Sequence, residues 1–441
     1  MLFFGLIFSS SAFTADGKTE GPTQILFKDV KIFNGTDAQL ITGKDVLVEG
    51  NLIKSVGSGL AVAANVEVID GGGRTLMPGL IDGHAHLGIV LHPAVLFNSH
   101  WSYSGAIMTT EAEKMLLRGF TTIRDAGGPT YGLAKAIDEG VIPGPRIYPS
   151  GHFIGQTSGH GDFRGYNDGP LRDRDYRSFA EREWSFIADG ADDVRAYSRE
   201  VLRLGATQLK LHIGGGASSP YDPLDTTQYS VEELRAAVEV AEDWGTYVMV
   251  HAYHDRSVMR ALEAGVKSID HGAMITNDET MIKMKEVGAI FNPQTFIFSP
   301  PEELVAVGDP ATYAKGAPLR DGLGRSIELA KKHGVKIAFG VDSFGDSTQL
   351  AFQNWELRHR LPWFTPAEIL VQATANTADL LALSGPRNPY QEGPLGVIRA
   401  GAYADILLVD GNPLEDVEVL VNHEEGIDLI MKDGKIYKNT L

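Results

Sequence analysis

In the stretch TQLKLHI, Leu209, Leu211 and Ile213 alternate with Gln208, Lys210 and His212. This period of two marks a strand with one apolar face. Strand candidates of similar length recur between Leu76 and Leu383: LMPGLIDGHAH, FTTIRDAGG, RIYPSG, TQLKLHI, TYVMVHAY, SIDHGA, AIFNPQ and KIAFGVDSF. Helix-like stretches alternate with them, among them TTEAEKMLLRGF, SVEELRAAVEVAEDWG, HDRSVMRALEAG and SIELAKKHG. Eight strand-then-helix units predict an α/β fold, a (β/α)8 TIM barrel with insertions, over residues 76–383.

The two chain ends read differently. QILFKDVKIFNG, KDVLVEGNLIKSVG and VEVIDGGG are short β-type runs split by Gly, Asn and Asp turns, and GVIRAGAYADILLVDG and DLIMKDGKIYKN close the chain in the same way. Neither end is large enough for a core of its own. Residues 24–75 and 384–441 are therefore expected to pair into one small β-sandwich-like domain. Before them, MLFFGLIFSSSAFTADG has the apolar run and small residues of a signal peptide, cut after Ala12 or Ala15 within a leader of residues 1–15. No Lys or Arg precedes that run. A true leader implies export to a periplasm or outside the cell; otherwise the cytoplasm is the default.

Composition narrows the functional classes. With 441 residues, 43% hydrophobic and 22% charged, the chain has ordinary globular make-up and length for a large core. A net charge of −18 with no basic cluster argues against a nucleic-acid partner. No segment besides the leader approaches a membrane span. There is no cysteine, so disulfides are excluded and any metal must be held by His, Asp, Glu or a less usual group.

In a barrel of this kind chemistry gathers at the C-terminal strand ends. There the first strand carries His84 and His86, the fourth Lys210, the fifth His251, the sixth His271 and the eighth Asp342. His84 and His86 are two apart on a strand, so both imidazoles point to one side. An isolated H-x-H pair more often makes ordinary polar contacts, but four histidines and an aspartate at four strand ends suit Zn2+ or a similar ion. Lys210 raises its own question, because lysine is almost never buried without a partner.

The motifs MPGLIDGHAHL, KLHIGGG, VMVHAYH, SIDHGA and FGVDSF, with the closing GVIRAGAYADILLVDGNPLED, resemble the amidohydrolase superfamily over nearly the whole mature chain. TSGHGD after the third strand resembles the branch of imidazolonepropionase-like dipeptidases and ochratoxin-degrading amidohydrolases. The resemblance implies two divalent metal ions, zinc being the expected one, and a CO2-derived carbamate on Lys210 bridging them. One ion would be held by His84, His86, Lys210 and Asp342, the other by Lys210, His251 and His271. A hydroxide between the ions would attack an amide carbonyl, with Asp342 passing its proton to the leaving amine. The implied substrates are dipeptides or N-acyl amino acids with a free C-terminal carboxylate, ochratoxin-like amides included. Relatives often form homo-oligomers.

Other residues carry two readings each. His160 in TSGHGD is, by resemblance, a substrate contact; the alternative is a turn-capping loop histidine. Tyr253 has the alternation to face inward with His251, as a contact to substrate or oxyanion or as packing. His212 and His254 read as supporting or structural residues. Gly214–Gly216 lacks the Lys-Ser/Thr of a phosphate loop, which leaves close backbone approach to a substrate or a plain turn. GQTSGHGDFRGYNDGPLRDRDYRS and SPPEELVAVGDPATYAKGAPLRDG read as long loops over the site. Val341 stands where many relatives have Thr or Ser, and His152 where another polar residue is expected. Competing functions are a lactonase or phosphotriesterase-like hydrolase, a cyclic-amide hydrolase or deaminase, and a non-enzymatic scaffold. The filled set of ligand positions argues against the scaffold, and Lys210 argues against a mononuclear enzyme.

Overall fold

The structure, a computed structural model, describes residues 24–96, 98–169, 182–297, 310–345 and 347–441. The leader, residues 1–15, lies outside the described residues, as do parts of both long loops. Five strands open the chain: β1 (Gln24–Ile32), β2 (Ile41–Glu49), β3 (Leu52–Gly57), β4 (Glu67–Asp70) and β5 (Thr75–Pro78). Nine follow: β6 (Leu80–Ala85), β7 (Phe120–Asp125), β8 (Arg146–Pro149), β9 (Phe153–Gly155), β10 (Ser185–Ile187), β11 (Leu209–His212), β12 (Val248–His254), β13 (Ser268–Met274) and β14 (Ile290–Asn292). Last come β15 (Ile406–Val409), β16 (Ile427–Lys432) and β17 (Lys435–Asn439).

Strands from the two ends share one sheet, in the order β17-β16-β15-β5-β1-β2-β3, with β4 on β1. Its apolar face gathers Phe27, Ile32, Val46, Ile53, Leu76, Ile406, Leu408 and Met431, all buried. LMPGLIDGHAH is therefore not one strand. Its first residues belong to β5, where Leu76 and Met77 pair with Leu408 and Leu407 of β15. The break falls at Gly79, where a Cβ would run into the Thr121 side chain.

The middle of the chain forms parallel pairs, β6-β7-β8 in one sheet and β10-β9-β11-β12-β13-β14 in the other. KIAFGVDSF is not assigned as regular strand, yet its backbone bonds to both sides. Phe291 N donates to Lys336 O (3.0 Å) and Ala338 N to Phe291 O (2.8 Å); Gly83 N donates to Phe339 O (2.8 Å) and Asp342 N to His84 O (2.7 Å). The eighth run thus links β14 to β6. All four residues of β11 are buried, the polar ones included, so its alternation separates two buried faces.

The expected helices form with recognisable signals. Val231–Trp244 starts at a capping box, with Ser230 Oγ accepting from Glu233 N (3.2 Å) and Glu233 Oε2 from Ser230 N (2.7 Å). It stops at Gly245 in the left-handed region (φ 70°). The second long loop is shorter than its sequence implies, because Pro310–Lys315 and Ala317–His333 are helical. No helix among the described residues is long and apolar enough to cross a membrane.

Candidate metal centre

The C-terminal ends of the parallel strands bring the expected ligands together. His84 Nε2, His86 Nε2 and Asp342 Oδ1 form one group, the Asp342 oxygen lying 3.5 Å from the first and 3.1 Å from the second. His271 Nδ1 is 3.7 Å from Asp342 Oδ2. The His271 ring lies 4.9 Å from that of His84 and 4.4 Å from that of His251, which extends the cluster across β12. Every one of these side chains is buried.

Two of these residues sit on unusual backbone. His271 has φ 74° and Asp342 φ 59°, positions that non-glycine residues rarely occupy and that cluster at functional sites. The kink at His271 breaks strand alternation, so the consecutive residues Asp270 and His271 both reach His84.

The donor chemistry fits a divalent ion. Neutral imidazole has one N–H and one lone pair, and a partner for the N–H decides which nitrogen faces a metal. His84 Nδ1 faces Asp270 Oδ1 (2.9 Å), His86 Nδ1 faces Gly127 O (3.3 Å) and His251 Nε2 faces Gly215 O (3.1 Å). Acceptors occupy one ring nitrogen of each, leaving the other as lone-pair donor. Burial holds His84, His251 and His271 well below the ordinary histidine range, so all three stay neutral at pH 7.

Lys210 is 1% exposed and makes no ion pair among the described residues. Burial lowers its pKa to about 8, while Asp270 and Asp342 pull it upward and Arg124 pushes it down. A buried lysine balanced by a contacting carboxylate, the ordinary explanation, is not what stands here.

His160 stacks on His251 at 4.2 Å and shares a hydrogen bond with Ser219 Oγ through Nδ1 (2.8 Å). Burial takes its pKa down to about 3. Tyr253 is buried, its ring 4.6 Å from His251 and 5.5 Å from His271, and burial raises its pKa. His212 lies 4.7 Å from the His160 ring. His152 and His254 point to other work: His152 Nε2 pairs with Arg182 O (2.7 Å) and its ring stacks on Phe186, and His254 Nε2 pairs with Thr226 O (3.2 Å). Val341 is buried and its N–H donates to Asp82 Oδ1 (3.1 Å). The glycine run is explained by close packing within the protein. A Cβ on Gly216 would enter the His160 ring, and one on Gly215 the Pro223 carbonyl.

Sequence reading missed the residues beneath the ligands. Asp82 accepts from the backbone of His84 (3.0 Å) and from Gln353 Nε2 (2.9 Å). Asp270 accepts from Arg124 Nη2 (2.7 Å), Asn292 Nδ2 (2.7 Å) and Ser268 Oγ (3.0 Å). The one available signal was a charged residue inside a strand candidate, as in SIDHGA and FTTIRDAGG.

The amidohydrolase family profile matches residues 75–437, and the chain belongs to that family. It is a hydrolytic enzyme of the family, with an α/β fold of TIM-barrel type. Three relatives narrow the neighbourhood. The chain is 33% identical over 387 residues to an ochratoxinase of Aspergillus niger, covering 82% of this chain and 75% of that protein. It is 34% identical, with a TM-score of 0.86, to a prolidase crystallised with N-methylphosphonate-L-proline, covering 95% of this chain and 100% of the other. A Xaa-Pro dipeptidase with methionine in its active site is 29% identical with a TM-score of 0.81, again over 95% and 100%.

Proposed function

We propose that this chain is a binuclear metal-dependent hydrolase that cleaves the amide bond to a C-terminal amino acid in dipeptides or N-acyl amino acids. The observation that carries the reading is the convergence of His84, His86, His251, His271 and Asp342 in one buried cluster, with the buried Lys210 in electrostatic reach of them and in no ion pair among the described residues. The prolidase, dipeptidase and ochratoxinase relatives supply the substrate class. In this reading the barrel expected over residues 76–383 is a closed (β/α)8 barrel beginning at β6, because Thr75–Pro78 pairs within the terminal sheet, and the chain ends form its β-sandwich-like companion.

His84, His86, Asp342 and Lys210 would hold one divalent ion, and Lys210, His251 and His271 the other, zinc suiting this nitrogen-rich set. Two such ions bring four positive charges, which an ammonium would raise to five. Burial enlarges the neutral fraction of the Lys210 amine, and CO2 added to it, with an N–C bond formed and one proton released, would make Lys210 an anionic ligand instead. Bound there, the ions supply Lewis acidity and a water ionised near neutral pH.

The chain's own groups do the rest. Asp342 Oδ1 and Oδ2 lie among three imidazoles. The carboxylate takes a proton from the attacking water and delivers it to the leaving amine. Tyr253 keeps its phenolic proton and donates it as a hydrogen bond to the developing oxyanion. His160 is neutral at pH 7, so it offers substrate a hydrogen-bonding imidazole rather than a charge, with Nδ1 shared with Ser219 Oγ.

The test is amino-acid release by zinc-reconstituted protein from Xaa-Pro, Xaa-Phe and Xaa-Leu dipeptides, N-acyl-phenylalanine and ochratoxin A, with a lactone and a phosphotriester alongside. Release of a C-terminal amino acid, lost in Lys210→Ala, is expected. Turnover of the lactone or phosphotriester without amino-acid release would overturn the substrate class.

A further inference from the structure

We infer that Asp270, held by Arg124, is a positioning residue that fixes the ring tautomer of His84 and so aims its Nε2 lone pair into the metal centre. This rests on the metal reading above and goes beneath it, to residues that touch neither substrate nor metal.

The geometry is specific. Asp270 Oδ1 is the meeting point of three hydrogen-bond contacts: His84 Nδ1 at 2.9 Å, Arg124 Nη2 at 2.7 Å and Asn292 Nδ2 at 2.7 Å. Ser268 Oγ donates to Oδ2 at 3.0 Å. An oxygen facing two obligate donors on Arg124 and Asn292 acts as an acceptor, so the third contact requires the hydrogen on Nδ1 of His84. Nε2 is then bare and faces Asp342 Oδ1 at 3.5 Å.

Arg124 is itself fixed. Its Nε donates to Gly83 O (2.6 Å) and its Nη1 to Tyr247 OH (3.1 Å) and Ser268 Oγ (3.0 Å). Arg124 and Asp270 both have fully buried side chains. An ion pair in such a place gains little stability over apolar side chains of similar volume. Its remaining effect is orientation: the Arg124 Nη2 bond, with those from Asn292 and Ser268, keeps the carboxylate from rotating away from His84. Gly83 O joins this anchor to the residue before His84, so backbone and ring are held by one arginine.

The test separates counter-ion from positioning roles, with the full chain throughout. Asp270→Leu alone leaves Arg124 buried without its partner and should lower the melting temperature of the metal-free protein. Asp270→Leu with Arg124→Met removes both charges and should restore most of that loss. Zinc affinity, measured by chelator competition, should stay about 10- to 100-fold weaker in the double variant, the usual cost of losing such an outer partner. Recovery of zinc affinity together with stability would reduce Asp270 to a counter-ion and overturn the inference. A wild-type protein that binds no zinc would instead remove the reading on which it rests. Ring nitrogen NMR of the metal-free wild type gives a check free of folding effects. Nδ1 of His84 should carry the proton, and the opposite tautomer would overturn the inference.

Discussion

Two buried groups of ionisable side chains sit at opposite ends of the same parallel strands, and they solve burial in opposite ways. At the start of β8, Arg146 pairs with Asp405 (3.1 Å) and Asp433 (2.6 Å), and its guanidinium lies over the Tyr403 ring at 4.0 Å. Nearby, Tyr390 OH donates to Asp138 (3.0 Å) and Lys432 Nζ to Gly144 O (2.8 Å). These charges find their counterparts within the chain, and they tie β15 and β16 of the terminal sheet to the parallel strands. At the far ends, burial leaves histidines neutral, Lys210 without an ion pair among the described residues, and Asp342 facing three imidazoles at 3.1–3.7 Å. Among the described residues no ion pair offsets Lys210 there. Buried donors in surplus mark a place built for an ion, whereas buried charges matched to each other mark a joint.

The largest expected effect lies at the unbalanced end. Lys210→Ala should reduce kcat/KM for amino-acid release by about a thousandfold or more while the circular dichroism spectrum is unchanged. Asp342→Asn should cost about 10²- to 10⁴-fold in kcat, with KM little altered, as expected for a group that moves a proton. If either variant kept wild-type turnover, the contrast between the two ends would lose its functional meaning.

The joint should respond in stability instead. Arg146→Met leaves Asp405 and Asp433 without their partner and should lower unfolding free energy by about 3–5 kcal/mol. Activity per folded molecule should be unchanged, as measured by denaturant unfolding and by kcat at low temperature. A loss of kcat at constant folded fraction would show that the two ends are coupled.

The pH dependence should also divide. Unfolded histidines take up protons near pH 6.5, whereas burial holds His84, His212, His251 and His271 well below that value and His160 at about 3. Below about 6.5 the unfolded state binds more protons, so the metal-free protein should lose stability as pH falls. Lys432 gives the smallest effect, of the same sign but at alkaline pH. Burial lowers its pKa from 10.5 to about 8, so between those values the unfolded chain binds the extra proton and stability should rise with pH. Lys432→Met should flatten that rise in melting temperature, and an unchanged slope would remove Lys432 as its source.

Six side chains of the candidate centre were legible in the sequence because strand patterns are local: His84, His86, Lys210, His251, His271 and Asp342 each lie in or just after a run with a strand-like pattern. What stayed hidden depends on tertiary contact. LMPGLIDGHAH reads as one strand, and only the approach of Thr121 to Gly79 shows why it divides. Asp270 and His271 cannot both face inward under strict alternation, and the positive φ at His271 that permits it leaves no trace in SIDHGA. Arg124 meets Asp270 across 146 positions of chain, a distance no periodicity spans. His152 shows the reverse, a polar residue near a strand end whose ring is taken up by Phe186 and the Arg182 carbonyl.

The most direct measurement is the metal content of the zinc-reconstituted wild type beside Lys210→Ala, by elemental analysis on protein freed of loose ions. Two ions per chain in the wild type, with clear loss in a folded Lys210→Ala, is the result this account predicts. No tightly held metal in the wild type, or equal content in both proteins, would contradict it.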